Sequence, residues 1–326
     1  MREHAKASRA TKLLIGFGNP LLDGDPVERP WEAQWAKLAR DKLACQQAPL
    51  LRTARLEATG GINIPQQRGG IVNLDTIRGQ VALPETADEL CAVAHSLGVP
   101  ESEIRLGARA TEGELKRLST SGELADYRIL HFATHGALAG ELKIGLEPGL
   151  ILTPPTQATP EDDGYLSASE IAGLKLDADL VVLSACNTAA GGAPGAEALS
   201  GMARAFFYAG ARSLLVSHWA VNSDSTVKLI TRALDILATD KSIGRAEAIR
   251  RSMLAMIEAV DPREAHPALW APFVVVGEGS PVESAGAQAR KSVIPMAPAP
   301  AKKAAAKSSL KQQAPWTADI WRKQAN

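Results

Sequence analysis

Two stretches hold residues whose types and spacing could do chemistry. "ILHFATHG" (129–136) places His131 and His135 four apart, and "LVVLSACNTAAG" (180–191) places Cys186 just after an apolar run. A histidine pair at i, i+4 binds zinc when a helix turns both imidazoles to one face. The surrounding "YRILHFATHG" reads instead as a strand, in which residues 131, 133 and 135 share a face. No third ligand cluster accompanies the pair, so no metal and no cofactor are expected. Two packing histidines, or one base beside one packing residue, are the readings left. His135 stands past the strand end beside Gly136, where a base would be placed. His131 lies inside the strand and is expected to pack or to support.

Cys186 follows Leu180–Leu183, so Ser184-Ala185-Cys186 falls at the carboxyl end of a strand, the edge where open α/β sheets bind ligands. Small residues follow it (Asn187, Thr188, Ala189, Ala190, Gly191, Gly192), and a nucleophile needs that clearance. A thiol of ordinary pKa is a weak nucleophile at neutral pH, and a neighbouring imidazole raises the thiolate fraction. Acyl transfer also needs donors for the developing oxyanion, which the backbone N–H groups of Gly136 and Cys186 could supply. The alternative for Cys186 is a buried, inert cysteine, the reading that fits Cys45 and Cys91 in their helical patterns.

The elements that would position these residues alternate short apolar runs with amphipathic stretches, the pattern of an α/β domain with a mostly parallel sheet. Strands are expected at 12–20, near 104, at 127–134, 180–185, 211–221 and 271–277. Helices are expected at 31–45, 83–98, after Thr111, and at 195–210, 223–238 and 243–259. Residues 60–80 read as an irregular surface hairpin and 136–165 as loop-rich, with Asp162-Asp163-Gly164 a solvated turn or part of a substrate pocket. Gly16-Phe17-Gly18 lacks a third glycine, which argues against a nucleotide site.

The 326 residues suffice for one large domain or two small ones, and the hydrophobic fraction of 45% is that of a globular protein. Lys plus Arg and Asp plus Glu both number 36, so overall charge points to neither nucleic acid nor membrane. No apolar run approaches the ~18 residues a membrane span needs. Three cysteines without CxxC spacing disfavour a disulfide framework, and with no signal-like segment the expectation is cytoplasmic. Residues 280–326 are rich in Pro, Ala and Lys, with eight basic against two acidic residues over 281–326. They are expected to form a flexible basic tail with a possible short terminal helix, after an arm at 1–10 and a domain at 11–279.

An apolar strand ending in His-Gly, followed 51 residues later by one ending in Ala-Cys, resembles the caspase-like cysteine peptidase clan, where that separation is about 50. "LHFATHG", "DGYLSASEIAGLKL", "VVLSACNTAAG", "ALSGMARAFFYAGARSLLVSHWAV" and "HPALWAPFVVVGEG", in that order, are similar to CHAT domains, relatives of caspases and separases. The resemblance covers about 130–279, and "LPETADEL" extends it toward the N-terminus. It implies a caspase-like three-layer α/β/α sandwich, a His135–Cys186 catalytic pair and a protein substrate, in a bacterial signalling or defence pathway. A non-catalytic interaction module is the alternative.

The likeness further implies a substrate cleft lined by Asp163, Ser217, His218, Trp219, Ser223 and Asp224, with the substrate adding a strand beside 217–221. Separases and many CHAT relatives carry an acid where Ser223 stands. A weaker preference for basic residues is therefore expected here, with Trp219 favouring apolar or small ones. Tetratricopeptide repeats often precede CHAT domains and none is visible, so a separate repeat-containing recognition or activator protein is an expected partner.

Overall fold

A computed structural model describes residues 8–45, 71–137, 147–184, 197–217, 223–240, 242–259, 261 and 263–280. The elements in chain order begin with β1 (Lys12–Gly18), α1 (Trp31–Asp41), α2 (Leu74–Arg78), α3 (Glu85–Ser96), β2 (Ile104–Leu106) and α4 (Glu112–Ser121). Next come β3 (Tyr127–Ala133), β4 (Gly136–Ala137), β5 (Gly149–Ile151), β6 (Tyr165–Ser167), α5 (Ala168–Ala172) and β7 (Leu180–Leu183). The chain closes with α6 (Glu197–Ala209), β8 (Ser213–Ser217), α7 (Ser223–Thr239), α8 (Arg245–Ile257) and β9 (Phe273–Gly277).

Six strands form the main sheet in the order β2-β1-β3-β7-β8-β9, parallel except for β9. Runs such as "LVVL" and "SLLVS" are buried at every residue because helices cover both faces, so they show continuous apolarity rather than alternation. Ile15, Phe17, Leu130, Phe132, Val181 and Leu183 pack toward α4, α5 and α6. Leu14, Ile129, Leu180, Val182 and Leu215 pack toward α3, α7 and α8. The result is the caspase-like α/β/α sandwich. Each large apolar side chain sealed this way contributes about 1.5–3 kcal/mol, which fixes the strand ends in space.

A third core sits apart from these two. Leu22, Ala36, Ala39, Val72, Ile77, Ile151 and Tyr165 join α1 and α2 to a small antiparallel sheet, β4-β5-β6. The stretch read as loop-rich, 136–165, thus holds β4 and β5 and ends at the start of β6, strands too brief for any periodicity to register. The expected hairpin at 60–80 contains α2 instead, capped by Asn73, whose side chain accepts from the Asp75 and Thr76 N–H groups. Residues 60–70 of that expectation lie outside the described residues.

Two further expectations are corrected. Cys45 and Cys91 are not separate buried thiols: they form a disulfide joining the segment after α1 to α3. Cysteines this far apart in the chain, one after α1 and one in α3, can meet only through tertiary packing, which spacing does not encode. Nor is β8 an edge, since β9 pairs antiparallel along it from Ser213↔Gly277 to Ser217↔Phe273. The expected substrate strand beside 217–221 is therefore blocked at residue 217, and 218–221 lie outside the described residues.

Candidate active site

His135 stands where the two sheets meet. Thr134 and His135 link the end of β3 to β4. The Thr134 hydroxyl donates to the Ile151 carbonyl, and the Ile151 N–H donates to the His135 carbonyl at 2.9 Å. Gly136 is opposite Leu150 in this antiparallel pair. Because the ladder bond runs to His135, residues 136 and 150 exchange none with each other, and the Gly136 N–H points away from β5. A small side chain nearby is required as well. A Cβ on Gly18, at the end of β1, would lie 2.6 Å from Leu90 Cδ1 and 2.9 Å from the Ala133 carbonyl oxygen.

The imidazole of His135 is buried, and its Nε2 lies 2.7 Å from the Val81 carbonyl oxygen. A carbonyl only accepts, so Nε2 carries the proton and Nδ1 is left as the basic nitrogen. Burial pushes the His135 pKa below its ordinary value, with the Val81 carbonyl opposing. At neutral pH the ring is an uncharged base with its tautomer fixed from the backbone. Val81 was invisible to sequence reading because any residue type offers the same carbonyl.

The segment carrying Val81 is tied down at its other end by Asp163, whose carboxylate accepts from the Val72 N–H at 2.7 Å and the Tyr165 N–H at 3.0 Å. Asp163 is neither in a solvated turn nor a free counter-charge for a basic substrate. It is buried with both oxygens engaged, and burial raises its pKa. Its turn is held in place by Gly164 at φ +81°, where a Cβ would meet Pro154 Cα at 2.7 Å. Glu112, also buried, accepts from the Asp163 and Gly164 N–H groups, and burial pushes its pKa up to about 8. That acidic pair serves to shape the loop.

His131 is fully buried in β3 opposite Gly16 and Val182, with Nε2–H donating to the Glu89 carboxylate at 3.0 Å. It belongs to the packing between β3 and α3. Gly16, from the stretch considered for nucleotide binding, gives that helix room: a Cβ there would meet Leu90 Cδ2 at 3.0 Å. Among the described residues no group of His, Cys, Asp and Glu could hold a metal ion.

Ser184 directly follows β7, its N–H donating to the Phe132 carbonyl at 2.9 Å. Cys186, His218 and Trp219 lie outside the described residues. Ser217 is buried at the end of β8, and Ser223 and Asp224 open α7. The structure therefore brings together His135, Gly136 and the strand ends of β3, β7 and β8, and separates Asp163 from them in role.

A family model described as "CHAT domain" matches residues 3–278. The chain belongs to the CHAT domain family. The CHAT match runs through both sheets, so the β4-β5-β6 layer that holds His135 falls within it. A stretch of 233 residues is 26% identical to mouse "Tetratricopeptide repeat protein 28", covering 60% of this chain and 8% of that protein. The CHAT chain is thus similar to a small part of a much longer relative. No helix among its described residues is long and apolar enough to cross a membrane.

Proposed function

We propose that this CHAT domain is a cysteine endopeptidase acting on a protein substrate, with Cys186 as nucleophile and His135 as base. The observation that carries the reading is the register of β3 with β7. Phe132 pairs with Leu183 on adjacent parallel strands. His135 and Cys186 each follow their paired residue by three positions, 135 − 132 and 186 − 183. Adjacent strands run about 4.8 Å apart, so chains leaving them at the same level suit a base and a nucleophile. The disulfide adds support: it takes up two of the three cysteines, leaving Cys186 as the one thiol available for chemistry.

In this reading Nδ1 of His135 takes the thiol proton as Sγ attacks the scissile carbonyl carbon. The oxyanion receives the N–H groups of Gly136 and Cys186. Nδ1–H then protonates the departing amine as the C–N bond breaks, and water, deprotonated by the same nitrogen, releases the acyl group. The Val81 carbonyl stabilises the imidazolium formed in each half-reaction, a role that the Nε2–H···O geometry supports. Ser217, His218, Trp219, Ser223 and Asp224 would line the substrate cleft. Cleavage of a peptide library, repeated with Cys186→Ala and His135→Ala, tests the reading. Cleavage should vanish in both variants, and persistence in either sinks the dyad. Strict Arg or Lys selectivity would contradict an apolar pocket around Trp219.

A further inference from the structure

At the opposite edge of the main sheet, where β3 and β7 begin, lies a cavity of about 290 Å³. Its walls are apolar, with Ile129, Leu180, Leu234, Leu237 and Ile243 among the residues lining it. The charged residues in its lining are Arg128, Asp179 and Arg245, two cations against one anion. Asp179 is buried and shared between them. It receives Arg128 Nε at 2.8 Å and Arg245 Nη2 at 2.9 Å. Arg245 is itself only 8% exposed as a side chain, and its Nη1 donates to the Glu278 carbonyl at 3.1 Å. Arg128, also in the lining, is 50% exposed as a side chain.

We propose that this cavity is a binding site for a small organic monoanion, a carboxylate on an apolar body. Within the lining two guanidiniums share one carboxylate, Glu278 standing outside it as the further anion near Arg245, and a carboxylate brought by the ligand would reach the half-exposed Arg128. The body would lie against the leucine and isoleucine walls, and the volume admits on the order of ten non-hydrogen atoms. Burial lowers the Arg245 pKa, the Asp179 and Glu278 anions oppose this, and the neighbouring Arg212 and Arg128 cations add to it. Gly244 caps α8 at the same wall without a side-chain acceptor, so the positive end of that helix also favours an anion.

The site is distinct from the candidate active site. Ile129 lines it and His135 lies six residues further along the chain, roughly 20 Å at strand spacing. The carboxyl end of α7 contributes Leu234, Leu237 and Ala238 to the cavity wall.

Octanoate is the probe, titrated into the full chain by calorimetry, with octanol and octylamine as comparison arms. The expected result is saturable one-to-one binding of octanoate and at least tenfold weaker binding of both comparison compounds. Leu237→Trp, which fills the cavity and leaves the arginines in place, should abolish it. Arg128→Gln, a half-exposed change, should weaken it about tenfold. Equal binding of octanol would overturn the proposal, as would octanoate binding unchanged in folded Leu237→Trp. Absence of saturable binding by the wild-type chain also overturns it. Because the readout is binding, none of these results bears on the peptidase reading.

Discussion

Replacing His131 by alanine separates the two histidines by consequence. His131 and Glu89 are 0% and 1% exposed, and each is the other's hydrogen-bond partner across the β3–α3 contact. Removing the ring leaves a buried carboxylate with no donor to replace it and a void against Gly16 and Val182. Breaking a buried pair from one side costs about 3–5 kcal/mol. For a domain of this size each kcal/mol moves the melting temperature about 2–4 °C, so a fall of roughly 6–20 °C is expected. Glu89→Gln keeps an acceptor oxygen in place and should cost only about 1 kcal/mol. His131→Leu with Glu89→Met removes both polar groups and should recover most of the loss. Urea denaturation with a fluorescence readout measures all three. A His131→Ala protein within 1 kcal/mol of wild type would refute the argument, as would a double variant no better than the single one.

The remaining predictions concern pH and redox state. His135 must be neutral to act as base, and its pKa is lowered, so the acid limb of the activity profile should lie below the ordinary histidine value of about 6.5. The same shift means the unfolded chain takes up a proton before the folded one does, so its stability contribution is lost as pH falls below about 6.5; a limb above 7 contradicts this. Glu112 has the opposite sign. A carboxyl raised to about 8 favours folding at low pH, and its contribution is lost as pH rises toward 8. Glu112→Gln should therefore flatten the pH dependence of melting temperature between about pH 4.5 and 8, and an unchanged slope would count against it. Cys45→Ser opens a loop with a sequence separation of 46 and should cost about 2–4 kcal/mol, with dithiothreitol lowering the wild-type melting temperature equally. Thiol titration of the unreduced, denatured chain should find one free thiol, and three would mean no disulfide.

Much of the parallel sheet was legible because each buried strand is a continuous apolar run between helix signals. The strand expected at 127–134 is found at Tyr127–Ala133, and the helix expected at 83–98 at Glu85–Ser96. The second sheet was not legible. Gly136–Ala137, Gly149–Ile151 and Tyr165–Ser167 are two or three residues long, and their pairing is decided by α1 and α2 packing over them. His135 could be singled out by its place after an apolar strand and before a glycine. Its partner Val81 could not, since a backbone carbonyl leaves no mark in the residue types. The solvated turn expected at Asp163 is buried for a related reason: Asp-Asp-Gly signals a turn but not its burial, and the Val72 N–H bonds to this one. The Cys45–Cys91 bridge likewise depends on where the segment after α1 comes to rest against α3.

The central claim, that Cys186 is a nucleophile activated by His135, is tested most directly by a peptide bearing an acyloxymethyl ketone, with intact-mass detection and peptide mapping. A single adduct on Cys186 is the predicted result, formed at least a hundredfold more slowly in His135→Ala and at a near wild-type rate in His131→Ala held below its melting temperature. An adduct elsewhere, a rate indifferent to His135, or no adduct with the chain folded would contradict the claim and favour a non-catalytic CHAT module.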